Sequence, residues 1–236
     1  MYHRSMSKFR VMRYILVLFL GVGLSAISQE NINQYDANGL RDGVWKKSYP
    51  GTQQLRYEGQ FVHGREVGTF RFYCETCGEQ PSTIIEYQED GLANITYYTA
   101  SGKRVSTGSL NGRDRVGEWL YYHENSQDIL TREIYEDGKL HGLKQTYYPN
   151  GQLTEEQRYR RGVAEGANFY YSPEGTLLKK LQYENGKLHG PAYYYDAAGN
   201  LLIAGSYKMG QKDGLWKYYE NGKLIKDEKF PKDGTK

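Results

Sequence analysis

Apolar and polar residues alternate along most of this chain in short runs, each opened by a glycine. In one run, Gly117 is followed by Trp119 and by the pair Tyr121-Tyr122. Successive strand residues point to opposite faces of a sheet, so the alternation predicts a β-strand. Turn residues such as those at 149–151 follow, and a second alternating run closes the unit. Two strands of about six residues fill each unit and leave no room for a helix, which predicts a β-hairpin.

The hairpin pattern recurs with a period of about 24 residues and makes about eight units. A second glycine ladder lies just before the first, as in Gly138-Lys139-Leu140-His141-Gly142. In one degenerate unit Ala93 takes the glycine position. The glycines that open the other units are Gly43, Gly68, Gly117, Gly142, Gly166, Gly190 and Gly214.

Isolated hairpins of this size are marginally stable, so we expect them to stack edge to edge. The predicted fold is all-β, with about eight tandem hairpins and about sixteen strands in one elongated antiparallel sheet or solenoid. At Gly59, Gly108 and Gly205 we expect bulges or a close backbone approach. Aromatic residues should form columns along both faces, and one column should make the core.

The N-terminus has the pattern of an export signal. Basic residues precede an apolar run at 14–27, and small residues follow at 26–28. We predict a secretory signal peptide at residues 1–28 and a repeat domain at 29–236. An uncleaved membrane anchor is the alternative. The expected location is outside the cytoplasm: periplasmic, associated with the outer envelope, or secreted.

The net charge of +3 comes from this N-terminal segment. Four of the 31 basic residues lie in it, and the remaining 27 face 28 acidic residues. A nucleic-acid-binding protein needs clustered Lys and Arg to neutralise phosphates. We therefore expect no nucleic-acid partner.

Candidate chemistry is sparse. Cys74 and Cys77 stand where other units have a turn, and an exported protein would join them in a local disulfide. Redox exchange is the alternative, although no βαβ unit surrounds the pair. His141 and His189 occupy equivalent positions in separate repeats, too far apart to share a metal. We predict no catalytic residues, no metal and no cofactor.

The second aromatic column is the candidate binding surface. A single tyrosine in a repeat is more often a packing residue, but about sixteen strands supply more rings than one layer can bury. Tyrosine also suits partly hydrated interfaces. The candidate binding residues are Tyr122, Tyr148, Tyr171, Tyr195 and Tyr219.

The units at 117–122 and 214–224 resemble the MORN repeat variant of bacterial proteins related to the YwqK-type antitoxins. The resemblance spans about residues 35 to 234. It implies a β-hairpin solenoid, and for MORN repeats in general it implies scaffolding, protein binding and suspected phospholipid contact. The YwqK-like members are named as the antitoxin of a toxin pair.

The sequence favours an exported, non-enzymatic repeat protein that binds another protein as a scaffold or adaptor in the cell envelope. One alternative is an antitoxin or immunity component. Another is a module for envelope glycan or phospholipid headgroups, with rings stacking on sugars or resting at the interface. Self-association through the sheet edges is a further expectation, since an open sheet leaves unpaired backbone groups at its ends.

Overall fold

The structure is a computed structural model that describes residues 31–124 and 126–231. These residues form eighteen antiparallel strands of one open sheet, with no helix among them, which confirms the all-β class and the hairpin repeats. The predicted signal peptide at residues 1–28 lies outside the described residues. The strands are β1 (Gln34–Tyr35), β2 (Arg41–Ser48), β3 (Leu55–Val62), β4 (Arg65–Phe72), β5 (Thr83–Tyr87), β6 (Leu92–Tyr98), β7 (Arg104–Asn111), β8 (Asp114–Tyr122), β9 (Ile129–Glu136), β10 (Lys139–Tyr147), β11 (Leu153–Arg160), β12 (Val163–Tyr171), β13 (Leu177–Glu184), β14 (Lys187–Leu188), β15 (Gly190–Tyr195), β16 (Leu201–Lys208), β17 (Gln211–Glu220) and β18 (Lys223–Phe230).

Each strand pairs with the next along the chain. β14 and β15 are two parts of one strand, and both pair with β13. When these two are counted as one and the two-residue β1 is set aside, the sixteen strands expected from eight hairpins remain.

Two kinds of connection alternate between the strands. On one side lie two-residue turns such as Asn185-Gly186, where both residues have positive φ, 49° and 76°. That is the type I′ geometry whose twist matches the flanking strands. On the other side lie longer loops such as 148–152, where Gly151 has positive φ and Asn150 does not. Asn150 instead accepts a hydrogen bond from the Gln152 N–H and donates to the Pro173 carbonyl oxygen in the next loop.

One row of facing residues crosses the sheet from β2 to β18 and defines its core face. Four of its large members, among them Trp119 and Trp216, are almost fully buried. The opposite face is called the open face. The row reads Trp45, Gly59, Phe70, Ile85, Ile95, Gly108, Trp119, Glu133, Lys144, Gln157, Asn168, Leu181, Ala192, Gly205, Trp216 and Glu228.

Large rings in this row lie on glycines of the preceding strand. A Cβ added to Gly108 would come within 2.3 Å of the Trp119 ring, and one added to Gly205 would come equally close to Trp216. The pairing register also shifts at both glycines, which marks a bulge. The expected bulge and close backbone approach are both confirmed. Only a residue without a side chain lets an indole lie flat on the backbone here.

A cation covers the other side of each tryptophan. The Arg115 guanidinium lies 4.3 Å from the Trp119 ring centroid, and Lys212 Nζ lies 4.2 Å from that of Trp216. Each indole N–H donates to a backbone carbonyl, that of Ser109 for Trp119. Cation–π contacts of this kind contribute about 0.5–2 kcal/mol each. The indoles are thus enclosed within a single layer of sheet.

The row is polar in the middle of the sheet. Lys144 Nζ pairs with Glu133 Oε1 at 3.2 Å, and Tyr135 donates to the other Glu133 oxygen. One hairpin further, Asn168 Nδ2 donates to Glu155 Oε1 at 2.9 Å. Glu133 and Asn168 are buried. Because these groups are paired, the row can cross from one apolar cluster to the other without an unpaired buried charge.

The N-terminal edge of the sheet is covered by the segment before β2. The Asn33 N–H donates to the Val44 carbonyl, and Asn33 Oδ1 accepts from the Lys46 N–H. The Tyr35 ring meets the Trp45 ring edge-on at 5.1 Å. This segment occupies the hydrogen-bonding positions that a further strand would use.

Asp36 and His63 fasten this covering segment to the β3–β4 turn. Asp36 Oδ1 accepts from two turn N–H groups, and Oδ2 lies 2.8 Å from His63 Nδ1. The hydrogen bond between the two side chains raises the pKa of His63 and lowers the pKa of Asp36.

The first prediction concerns the glycine contact. Replacing Gly205 with Ala should destabilise the fold by about 1–3 kcal/mol, because the new methyl group overlaps the Trp216 ring. The double variant Gly205→Leu with Trp216→Ala copies the Leu181–Ala192 pair of the same row and should melt above Gly205→Leu alone. Circular dichroism melts measure both. The outcome against this explanation is a double variant no more stable than Gly205→Leu alone. It would mean that a large residue at position 205 is not accommodated by a small residue at position 216.

The second prediction concerns the Asp36–His63 pair. The His63 contribution is complete below its unfolded pKa of about 6.5 and is lost as the pH rises through its raised folded pKa. The Asp36 contribution is complete above about 3.9 and is lost as the pH falls through its lowered folded pKa. The pair therefore stabilises the covering segment most between about pH 4 and pH 6.5.

The variant Asp36→Asn keeps the turn acceptor but removes the charge, so the pKa of His63 should fall towards its ordinary value. An NMR titration of the His63 ring measures this. The wild-type chain, titrated under the same conditions, is the reference. An unchanged His63 titration would show that the pair does not form in solution.

Candidate binding surface

The open face differs between the two halves of the sheet. From β2 to β9 its strands carry mainly charged and hydroxyl side chains that pair with one another. Glu58 lies 3.3 Å from Lys46 Nζ and accepts from the Tyr73 hydroxyl at 2.8 Å. Arg132 pairs with Glu118 at 3.1 Å. The charged groups named here are therefore paired within this half, where Val105 is the exposed apolar residue that corresponds to Leu202.

From β12 to β18 the open face is aromatic and aliphatic. The Phe169 and Tyr171 rings stack with their centroids 6.5 Å apart. Leu202 is 39% exposed, although it lies within a strand. We call the group the open-face band; its members are Phe169, Tyr171, Tyr193, Tyr195, Leu202 and Tyr219.

Lysines lie among the rings of the open-face band. Lys180 faces both Phe169 and Tyr193 in the pairing register, and its Nζ lies 6.0 Å from the Phe169 ring. Lys217 faces Ala204 in the same way. Lys180 and Lys217 are both exposed. The band therefore presents half-buried apolar rings next to exposed lysines, of which Lys217 also faces Asp227 in the register. This surface suits a partner with acidic and apolar side chains.

The five tyrosines predicted from sequence do not all lie in this band. Tyr171, Tyr195 and Tyr219 do. Tyr122 occupies the equivalent position but is covered by Arg104, whose guanidinium lies 4.7 Å from the ring centroid. Tyr148 lies one residue beyond the position that Tyr171, Tyr195 and Tyr219 share. The tyrosine pair of the unit opened by Gly142 stands one residue later than in those units, so Tyr147 takes the shared position.

Tyr148 has a structural contact instead. Its hydroxyl donates to the Tyr171 carbonyl oxygen at 3.0 Å and so ties two successive loops together. Sequence reasoning missed Phe169 and Tyr193 because they precede the Tyr pairs rather than end them. Their alternation with Tyr171 and Tyr195 places them on the same face, and this was the signal that could have found them.

The phenols of both faces resist ionisation. Burial raises the pKa of Tyr171, and the neighbouring Glu156 raises it further. Burial also raises the pKa of Tyr194 on the core face, where its hydroxyl lies 3.0 Å from that of Tyr207. Tyr73 shows the same effect, with a pKa of about 12. At neutral pH these hydroxyls are therefore uncharged hydrogen-bonding groups.

The cysteines and histidines serve the loops and turns. Cys74 and Cys77 form a disulfide within the loop between β4 and β5. His141 Nδ1 lies 3.0 Å from Glu136, across its own turn. In the described residues, no group of three or more His, Cys, Asp or Glu side chains is placed to hold a metal ion.

Two clefts in the surface lie along the ends of the strands. One of about 530 Å³ lies beside the disulfide loop and is lined by Gln54, Tyr73 and Glu79. Another of about 470 Å³ lies beside the two-residue turns at His141 and Arg161. Both are wide open to solvent. In the part of the chain that the structure describes, no helix is both long and apolar enough to cross a membrane.

Comparison with known proteins identifies the repeat type in the C-terminal half. A search of the curated proteins finds no match. The family model of the MORN repeat variant matches residues 140–161, 164–185, 188–209 and 212–230. Each matched segment contains one hairpin: β10–β11, β12–β13, β14–β16 or β17–β18. These four hairpins therefore match the MORN repeat variant, and three of them carry the open-face band.

Proposed function

We propose that this chain is an exported, non-enzymatic repeat protein that binds another protein through the open-face band and acts as a scaffold or adaptor in the cell envelope. The observation that carries the proposal is the contrast between the two halves of the open face. The N-terminal half pairs its charges internally. The C-terminal half presents Leu202, the half-buried Tyr195 ring and the exposed Lys180 side chain.

A protein partner fits this surface better than a small molecule. The open-face band is flat and crosses several strands, whereas small ligands are held in concave pockets that enclose most of their surface. Tyrosine and phenylalanine are enriched at protein interfaces, where one side of the ring packs and the hydroxyl stays hydrated. Lys180 and Lys217 would then select for acidic residues on the partner.

A glycan or an anionic lipid surface is the second candidate, since rings flanked by lysines also suit those ligands. The finer resemblance to the YwqK-like antitoxins is a third. An antitoxin that acts in the cytosol conflicts with the export signal expected at residues 1–28, so we rank this candidate last. Cleavage of residues 1–28 on export, together with a binding partner outside the cytoplasm, would support placing the antitoxin candidate last.

The third prediction tests the open-face band. The double variant Tyr195→Ala with Tyr219→Ala should weaken binding of a captured envelope protein by about 30-fold or more, because central interface aromatics contribute 2 kcal/mol or more. Capture by the tagged chain supplies the candidate, and binding of the purified candidate is then measured by calorimetry. Tyr122→Ala is the matched control and should bind normally, since Arg104 already covers that ring.

The alternatives have their own readouts in the same experiment. Sedimentation with vesicles containing anionic lipid, or retention on envelope glycan, that disappears in the double variant would favour the second candidate. Circular dichroism must show that both variants keep the wild-type strand content. If Tyr122→Ala and the double variant lose partner binding equally, the open-face band is not the binding surface.

A further inference from the structure

The two ends of the sheet are finished differently. At the N-terminal end, residues 33–35 lie along β2 and use its outward N–H and carbonyl groups. At the C-terminal end, β18 pairs with β17 along Lys223–Phe230 and has no other strand partner among the described residues. Within residues 31–124 and 126–231, eight residues of strand edge are therefore open, and only at the C-terminal end. An open edge of this length is a template for pairing with another strand.

Apolar side chains of β18 are more exposed than the equivalent side chains of strands that have a hairpin on both sides. Leu153, Leu177 and Leu201 each begin the second strand of a hairpin and are half-buried, because another hairpin follows them in the sheet. Leu224 holds the same position in β18 and is 52% exposed. Its neighbour Ile225 is 60% exposed. The repeat itself indicates what covers these positions elsewhere, namely an antiparallel strand of the same kind.

We infer that β18 pairs in antiparallel fashion with β18 of a second copy of this chain and so forms a two-fold symmetric dimer. A head-to-tail arrangement would need the outer edge of β2 and would produce open-ended fibres. That edge is occupied by residues 33–35. When the β18 edges of two copies pair with each other, no open edge of this kind is left, so the assembly stops at a dimer.

The charges of β18 suit this arrangement. A two-fold axis perpendicular to the sheet keeps each face on its own side, so opposed residues must come from the same face. In the register centred on Asp227, Lys226 of each copy lies opposite Glu228 of the other. Within one copy these two side chains already form an ion pair at 2.6 Å. Two such pairs side by side make an alternating cluster. On the other face the two Asp227 carboxylates lie opposite each other, and the Lys217 that lies beside each of them offsets their repulsion.

The dimer is tested with the purified full chain by light scattering behind a sizing column. We expect a mass twice that of the chain at concentrations near 100 µM. The variant Ile225→Lys, a change that natural edge strands use to prevent pairing, should weaken the dimer at least tenfold. Leu215→Lys is the matched control and should leave the dimer intact. Leu215 is 50% exposed and equally apolar but lies on β17, one strand inside the edge.

Cross-linking tests the register independently of affinity. Asp227→Cys places two thiols directly opposite each other, with Cα atoms about 4.5–5.5 Å apart, so mild oxidation should give a covalent dimer. The control is Lys217→Cys. Position 217 is exposed on the same face but lies on β17, one strand away from the edge in each copy. Its thiols would be about 14 Å apart and should not cross-link. A wild-type chain that is monomeric at 100 µM would overturn the inference, and this is the result expected if the edge instead binds a different protein. Equal cross-linking of the two cysteine variants would also overturn it.

Discussion

The packing of large rings onto bare backbone is the interaction on which the rest of this structure depends. A single sheet has no second layer to cover its side chains, so each buried ring must find its cover within one face. Gly108 and Gly205 let Trp119 and Trp216 sink against the preceding strand, while Arg115 and Lys212 cover them from above. Where the ring is missing, as at Ala192, the facing position carries Leu181 instead. In both pairs, Gly205 with Trp216 and Leu181 with Ala192, one large residue faces one small residue, although the strand that carries the large residue differs.

Much of this arrangement could be predicted from the sequence because it is local and periodic. The hairpins, their stacking order and the special role of Gly59, Gly108 and Gly205 all follow from spacing along the chain. The identity of the open face could be predicted only in part. The repeats predict that tyrosines line the open face but not which ones, since the tyrosine pair of one unit stands one residue later and Tyr148 therefore lies in a loop.

Features that depend on neighbouring strands were not predictable in this way. Arg104 and Tyr122 are eighteen positions apart, and only the pairing of β8 with the strands around it brings the guanidinium over the ring. The polar members of the core row were hidden for a related reason. Glu133 and Gln157 look like solvent-facing residues in a strand pattern, yet both are buried. Their burial depends on partners supplied by adjacent hairpins.

Buried charge in the middle of a repetitive sheet also solves a problem of alignment. Tandem hairpins resemble one another, so a strand can pair with the wrong neighbour and still match backbone groups. Glu133 and Lys144 make one junction unlike the others. If the chain slipped by one repeat, the Glu133 carboxylate would face Asn168 or a tryptophan in place of the ammonium group, and its desolvation would go uncompensated. The pair therefore favours the correct pairing of β9 with β10 and so helps to fix the order of hairpins that otherwise resemble one another.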